Sequence, residues 1–298
     1  MVKYIGILLC AVLLAAPAAW AVEPPYQEMT AEEFEASLEY RTGEVHLPGG
    51  VATLRLTGDF RYLDPENTER LLVEGWGNPG GFRTLGMLVP ADTSPLAENG
   101  WGVVITYEQD GHVSDKDADS IDYNELLAAM KKSVARENEA RRKEGYETLE
   151  IIGWAARPYY DKASHKLYWA KELSFGGGTD HTLNYNVRIL GRRGVLVLNA
   201  VAGMDQLKDM EAAMGQVIAF TDFNPGYRYS DFNAKTDKTA TYGIAALVAG
   251  GVAAKAGLFT KLLGVLVAAK KLLVVAVVGI AAFFGRMFRK KKAGRQYS

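Results

Sequence analysis

Asp115-Lys-Asp117-Ala-Asp119 sets carboxylates at alternate positions, the spacing with which a calcium loop gathers hard oxygen ligands around one ion. The continuation departs from that pattern. Ser120 stands sixth where glycine makes the sharp turn, Leu126 stands twelfth where a bidentate glutamate closes the site, and Glu125 falls one position early. Asp115, Asp117 and Asp119 are the residues a calcium ion would use, but the simpler reading is a solvated loop whose carboxylates cap the helix that follows. No metal and no cofactor are expected. With Asp110 and His112 just upstream, Asp115 and Asp117 also form a grouping able to do general acid–base chemistry, as a hydrolase without a familiar motif would need.

Other chemistries find less support. His46, His112, His165 and His181 nowhere pair at the i, i+4 spacing of a helical metal site. His165 and His181 open consecutive predicted strands, so a hairpin turning at Gly176-Gly177-Gly178 holds them near opposite ends of its ladder. There is no Gly-x-Ser-x-Gly elbow, and Ser174 lacks the strand-to-helix turn that would expose a nucleophile. The glycine triplet leads into a strand and lacks the Gly-Lys-Ser/Thr end of a phosphate loop. Trp76, Trp101, Trp154 and Trp169, with Tyr159, Tyr160 and Tyr168, could line a pocket, although strand aromatics more often build core.

These residues must be positioned by an alternation of helices and extended segments. Thr30-Ala-Glu-Glu33 opens a short helix with Phe34 and Leu38 inward, which Gly43 is placed to end. Glu44 to Leu47 and Val51 to Leu56 form a hairpin around Pro48-Gly49-Gly50. Asp64-Pro65 caps a helix reaching about Gly75. Leu85 to Val89 and Gly102 to Tyr107 read as strands, the second turning at Asp110-Gly111 into a hairpin with His112 and Val113. Asp122 caps a helix with Tyr123, Leu127, Met130 and Val134 on one side, a charged and solvated second half from Arg136 to Glu144, and Gly145 as its stop. From Leu149 the period becomes two: Leu149 to Ala156, His165 to Phe175, Thr182 to Leu190 and Val195 to Val201 form an antiparallel meander, with the doubly apolar fourth strand placed centrally. Asp205 then caps a helix burying Leu207, Met210, Met214, Val217 and Ile218, which ends before Asn224-Pro225-Gly226. The fold class is α+β, with antiparallel sheets and packed helices in an exported part, followed by a C-terminal membrane helix.

The closing hairpin, turn and helix resemble the end of Mog1-like and photosystem PsbP-like domains, a likeness of fold that implies no function. A more specific resemblance rests on Gly43-Glu-Val-His-Leu-Pro-Gly-Gly50, Asp110-Gly-His-Val-Ser-Asp-Lys-Asp-Ala118, Gly153-Trp-Ala, His165-Lys-Leu-Tyr-Trp-Ala170, His181-Thr-Leu-Asn-Tyr-Asn186 and the lysine-rich tail. These are similar to one family of bacterial membrane-anchored proteins, a domain of unknown function. The resemblance covers nearly the whole mature chain and implies an exported, anchored architecture without supplying catalytic residues.

Charge separates the two parts. Thr241 to Ser298 holds ten Lys or Arg and no Asp or Glu, whereas Val22 to Ala240 carries a net −12. That domain repels phosphate backbones, and Arg192-Arg193 is too small a patch to reverse this, so nucleic acid is not an expected partner. Lys3, the apolar run Ile5 to Ala16 and Ala19-Trp20-Ala21 read as a signal peptide over residues 1–21. Cleavage would remove Cys10, the chain's single cysteine, and leave neither thiol nor disulfide. The exported domain then spans 22–229, with subdomains at 22–145 and 146–229, and a linker covers 230–241. An interfacial or re-entrant helix is expected at 242–269, and a crossing with a basic cytoplasmic end at 270–298. Lys270-Lys271 belongs at an interface, which favours Leu272 to Phe288 as the crossing; seventeen residues at ~1.5 Å span roughly 25 Å. Positive charge beyond Arg286 places the C-terminus in the cytoplasm and the domain on the outer side of a bacterial inner membrane. Lipid is the expected partner, together with envelope proteins or a second copy packed along Ala246, Gly250 and Ala254. Function reads first as a binding or assembly module of the envelope, with a hydrolase or a membrane transport or channel component as alternatives.

Overall fold

The computed structural model describes residues 29–250 apart from Pro79 and Glu144. The signal segment, the crossing near Leu272 and the far end of the small-residue stripe, Ala254, lie outside the described residues. The compact unit begins at α1 (Ala31–Ala36), which buries Phe34. The Ser37 hydroxyl donates to the Phe34 carbonyl and the chain turns at once into β1 (Tyr40–Arg41). Gly43 therefore does not end the helix as expected; at φ 75° it turns β1 into β2 (Glu44–His46), which pairs with β3 (Ala52–Arg55) around Pro48-Gly49-Gly50. After β4 (Phe60–Leu63), the Asp64 carboxylate accepts from the Asn67 N–H at 2.9 Å and caps α2 (Pro65–Arg70), whose last turn widens over Leu71–Gly75.

The next elements are β5 (Gly86–Pro90), β6 (Gly102–Glu108), β7 (His112–Ser114) and α3 (Tyr123–Lys143), followed by β8 (Leu149–Asp161), β9 (Lys166–Phe175), β10 (Thr182–Leu190) and β11 (Val195–Gly203). α4 (Leu207–Phe220), β12 (Thr221–Phe223), β13 (Thr239–Gly243) and α5 (Ile244–Ala249) close the described chain. Strands β1-β4-β5-β6-β11-β10-β9-β8 form one antiparallel sheet in that order, so the meander read from the sequence is its second half. The β6–β11 pairing runs from Glu108 opposite Val195 to Gly102 opposite Val201, which joins strands from both sides of residue 145 in one sheet. β11 lies inside the sheet, as its doubly apolar sequence requires.

One face of the sheet carries Leu183, Tyr185, Val187 and Ile189 against Met210, Met214 and Val217 of α4, with Val45 and Leu54 of the small sheet β12-β3-β2 at its margin. Each of these buried side chains contributes on the order of 1.5–3 kcal/mol by leaving water. The opposite face is divided among three apolar clusters, centred on α1–α2, on α3 and on α5.

Three expectations need correction. β7 does not form a hairpin with β6; it leaves the sheet and pairs in parallel with β13, from His112 opposite Thr239. Gly111, at φ 116°, allows this approach, because a Cβ there would stand 2.7 Å from the Lys238 carbonyl oxygen. Residues 230–241 are consequently no linker. Arg192 holds Asp237 through two hydrogen bonds of 2.7 and 3.0 Å, and the segment runs into β13. The charged half of α3 is not wholly solvated either: Arg141 is buried, donating to the Glu147 carbonyl at 2.8 Å. Among the described residues no helix is long and apolar enough to cross a membrane. α5 packs Ile244, Leu247 and Val248 into the core and ends at Gly250 in the left-handed conformation, so the stripe from Ala246 meets a helix terminus four residues on.

Candidate functional site

The loop after β7 meets the β8–β9 turn and the segment between β12 and β13. Tyr160, at the end of β8, donates its hydroxyl to Asp115 Oδ2 at 2.9 Å and lies 3.1 Å from His165 Nδ1. The phenol has one proton and gives it to the carboxylate, so His165 Nδ1 carries the proton that meets the Tyr160 oxygen. With the ring carrying that single proton, Nε2 is the acceptor. Asp115 and His165 are about one quarter exposed (26% and 29%), and Nδ1 stands 3.7 Å from Asp115 Oδ2. His165 sits in the hairpin turn at φ 53°, a conformation unusual for a residue other than glycine and found at sites where position matters more than local ease.

Four rings stack beside this relay. Phe232 lies 3.8 Å from His112 at 12°, His112 lies 4.3 Å from Tyr229, and Tyr229 lies 4.0 Å from His165 at 26°. Burial lowers the His112 pKa, and its Nδ1 is enclosed with no hydrogen-bond partner. Burial and the Asp115 charge push the Tyr229 hydroxyl up to about 12, and the same two causes raise Tyr160 still further, so both phenols stay protonated. The arrangement can pass a proton between His165 and Asp115 through Tyr160. It also ties the segment that follows β12 to the sheet.

The carboxylates singled out in the sequence go separate ways. Asp115 joins Tyr160, while Asp110 accepts from the Tyr242 hydroxyl at 3.1 Å. Asp119 pairs with Lys162. Asp117 receives the Ile244 and Ala245 N–H groups at 3.0 and 3.1 Å, capping α5 from a distant part of the chain instead of capping α3. Asp122 performs that second task, accepting from the Asn124 N–H at 2.8 Å. Among the described residues no three His, Cys, Asp or Glu side chains are gathered so as to hold a metal ion. Replacing Asp117 with alanine should cost about 1 kcal/mol and raise amide exchange at residues 244–249 before the rest of the domain, as measured by hydrogen exchange and mass spectrometry.

The other histidines lie elsewhere. His181 pairs with Glu172 at the far end of the β9–β10 ladder, and His46 Nδ1 meets the Thr53 hydroxyl at 3.0 Å. Ser174 donates to the Gly178 carbonyl at 3.2 Å. Sequence reasoning missed Tyr229 and Phe232 altogether, since Tyr229-Ser-Asp-Phe232 has no periodicity and gains meaning only when β13 returns beside β7. It named Tyr160 as an aromatic and treated His165 as isolated; Asp161-Lys-Ala-Ser-His165, a tight turn with histidine at its exit, was the available signal.

The class this geometry defines is a mixed α+β domain built around one large antiparallel sheet, with the stretch from Tyr229 to Ala249 fastened by stacked rings and a capped helix end. The family described as a protein of unknown function, DUF2167, matches residues 39–281, and the chain belongs to that family. Among curated proteins none matches. Solved structures with partial likeness include the cyanobacterial PsbP of Synechocystis, at 11% identity and a TM-score of 0.34 over 63% of this chain and 94% of that one. The Ran-binding protein Mog1p of Saccharomyces cerevisiae matches at 9% identity and a TM-score of 0.35, over 66% of this chain and 100% of its own. LpqN of Mycobacterium tuberculosis, described as involved in cell envelope biogenesis, matches at 14% and 0.32, over 66% and 98%.

Proposed function

We propose that the protein is a membrane-anchored module of the bacterial cell envelope that binds or assembles other proteins, with its domain outside the inner membrane and its C-terminus in the cytoplasm. The observation that carries this reading is the open stretch of β8, the terminal strand of the large sheet. Asn138 of α3 bonds both backbone groups of Leu149, and Lys131 donates to the Ile152 carbonyl at 2.7 Å, so the start of the strand is covered. From Gly153 to Pro158, no hydrogen bond among the described residues reaches the backbone from outside the β8–β9 ladder. Tyr159 follows with 54% of its surface exposed, resting on Tyr168 at 5.1 Å. Pro158 and three register shifts keep this edge from indiscriminate strand addition and leave an aromatic anchor of the kind that interfaces favour. The acid-free tail supports the anchoring, and a cysteine at Ser298 should be labelled only after spheroplasts are opened.

A photo-crosslinking residue at Tyr159 in intact cells should capture envelope proteins or a second copy well above the yield from Tyr146, which is 37% exposed. Recovery of monomer alone from both positions would count against the reading.

The Asp115–Tyr160–His165 relay favours a second reading, an envelope hydrolase in which His165 Nε2 takes a proton from water. Turnover of an envelope substrate by the purified protein, lost in Asp115→Asn while thermal stability is kept, would raise it above the first.

A further inference from the structure

Between its apolar clusters, the second face of the large sheet presents a polar patch that the site above does not use. Register sets Lys171 opposite Asn184, Trp169 opposite Asn186, and Asn186 opposite Asn199; Arg188 follows on the same face of β10. The three asparagines are at least 94% buried and linked in a row. Asn186 Nδ2 donates to Asn184 Oδ1 at 2.8 Å, and Asn184 Nδ2 donates to Asn199 Oδ1 at 3.0 Å.

The row consumes acceptors and leaves donors around it. Trp169 Nε1, which can only donate, is buried without a partner. The Arg188 guanidinium lies 5.1 Å over the Trp169 ring and donates to the Val187 carbonyl, leaving other N–H groups of its fork unused. Among the described residues no hydrogen bond or ion pair engages the Lys171 ammonium, and no carboxylate lies within ion-pair distance of either cation. Burial lowers the Arg188 pKa, and the charge of Glu108 partly offsets this. Arg188 is 94% buried and Lys171 beside it is partly exposed; two neighbouring cations without a paired carboxylate, one of them out of water, are unfavourable unless an anion joins them from the open side of Lys171.

We infer that Lys171, Arg188, Trp169 and the asparagine row bind a phosphate group. A carboxylate brings two oxygens and one charge. A phosphate monoester brings three acceptor oxygens and about −1.5 to −2 charge, enough to meet a guanidinium fork, an ammonium and an indole N–H together. An asparagine row serving only to set strand register would need neither the unpaired ammonium nor the orphaned indole. The source is a lipid headgroup or a soluble phosphate. Trp169 belongs to the same apolar cluster as α5, so the patch adjoins the segment that continues toward the basic tail.

The test uses the full chain in phosphatidylcholine nanodiscs, with inorganic phosphate or glycerol phosphate added, or with phosphatidic acid built into the disc. Thermal midpoint and tryptophan emission are followed. The wild type should be stabilised in at least one arm, Lys171→Met should need tenfold or more ligand for the same shift, and Lys171→Arg should keep most of the response. A response to soluble phosphate assigns a soluble ligand; one confined to phosphatidic acid assigns a headgroup. Absence of any wild-type response, or an equal response in Lys171→Met, would overturn the inference, and neither outcome depends on what Tyr159 captures.

Discussion

His112→Ala should lower stability by about 2–3 kcal/mol and loosen the chain from Tyr229 to Ala249 first. The ring is 92% buried between Phe232 and Tyr229, and truncating a buried aromatic costs about 3–5 kcal/mol when the gap cannot close. Part of that cost is recovered, because Nδ1 is enclosed without a partner and its removal relieves roughly 1–3 kcal/mol of lost hydration. His112→Phe keeps the stack and removes the unpartnered nitrogen, but it also removes the bond to the Gly191 carbonyl, so stability should fall well short of the alanine loss and stay near that of the wild type. Burial also lowers the His112 pKa, against the raising influence of the Gly191 carbonyl, Asp115 and Asp237, while His165 adds to the lowering. Because the unfolded chain then binds more protons, the stability His112 contributes is present above about pH 6.5, the ordinary histidine value, and is lost as pH falls below it. Urea unfolding of the wild type and His112→Phe should diverge on acidification, with the phenylalanine variant falling less. Parallel curves would show that His112 is not held neutral by this stack.

The elements that could be read from the sequence are those specified locally. Asp64-Pro65 caps a helix because the carboxylate reaches an N–H three residues away, and the β8–β11 meander follows from alternation and short turns. What escaped depends on residues far apart in the chain. Asp117 lies 127 positions from the Ile244 N–H it receives, and nothing in Asp115-Lys-Asp117-Ala-Asp119 marks one carboxylate for a tyrosine, one for a helix end and one for a lysine. β7 resembled half of a hairpin because Asp110-Gly111 is a good turn. Its partner is β13 because the glycine also admits a distant backbone. The candidate site was visible in its residue types, with His112 and Asp115 named among them, but its geometry arises only when Tyr229 and Phe232 return beside β7.

The pH dependence around Lys171 should have the same sign as that of His112 and fall in a more alkaline range. Burial and the neighbouring Arg188 charge lower its pKa from 10.5 to about 8, and each unit corresponds to about 1.4 kcal/mol. The facing neighbours, Asn184 on β10 and Trp154 on β8, are neutral, and Arg188 supplies the repelling charge. Below pH 8 both folded and unfolded chains carry the ammonium, and the folded chain bears the full penalty. As pH rises past 8 the folded form releases the proton while the unfolded form retains it, so stability increases. The wild type should therefore gain on the order of 1 kcal/mol relative to Lys171→Met between pH 8 and 9, a range in which Arg188, lowered by burial to about 10, keeps most of its charge. Saturating phosphate should flatten that gain, since an anion on the ammonium raises its pKa back toward the ordinary lysine value. A wild-type curve that tracks Lys171→Met at every pH would place the ammonium in water and remove the electrostatic ground for a phosphate on this face. A gain unchanged by phosphate would keep the partly desolvated lysine and reject the ligand.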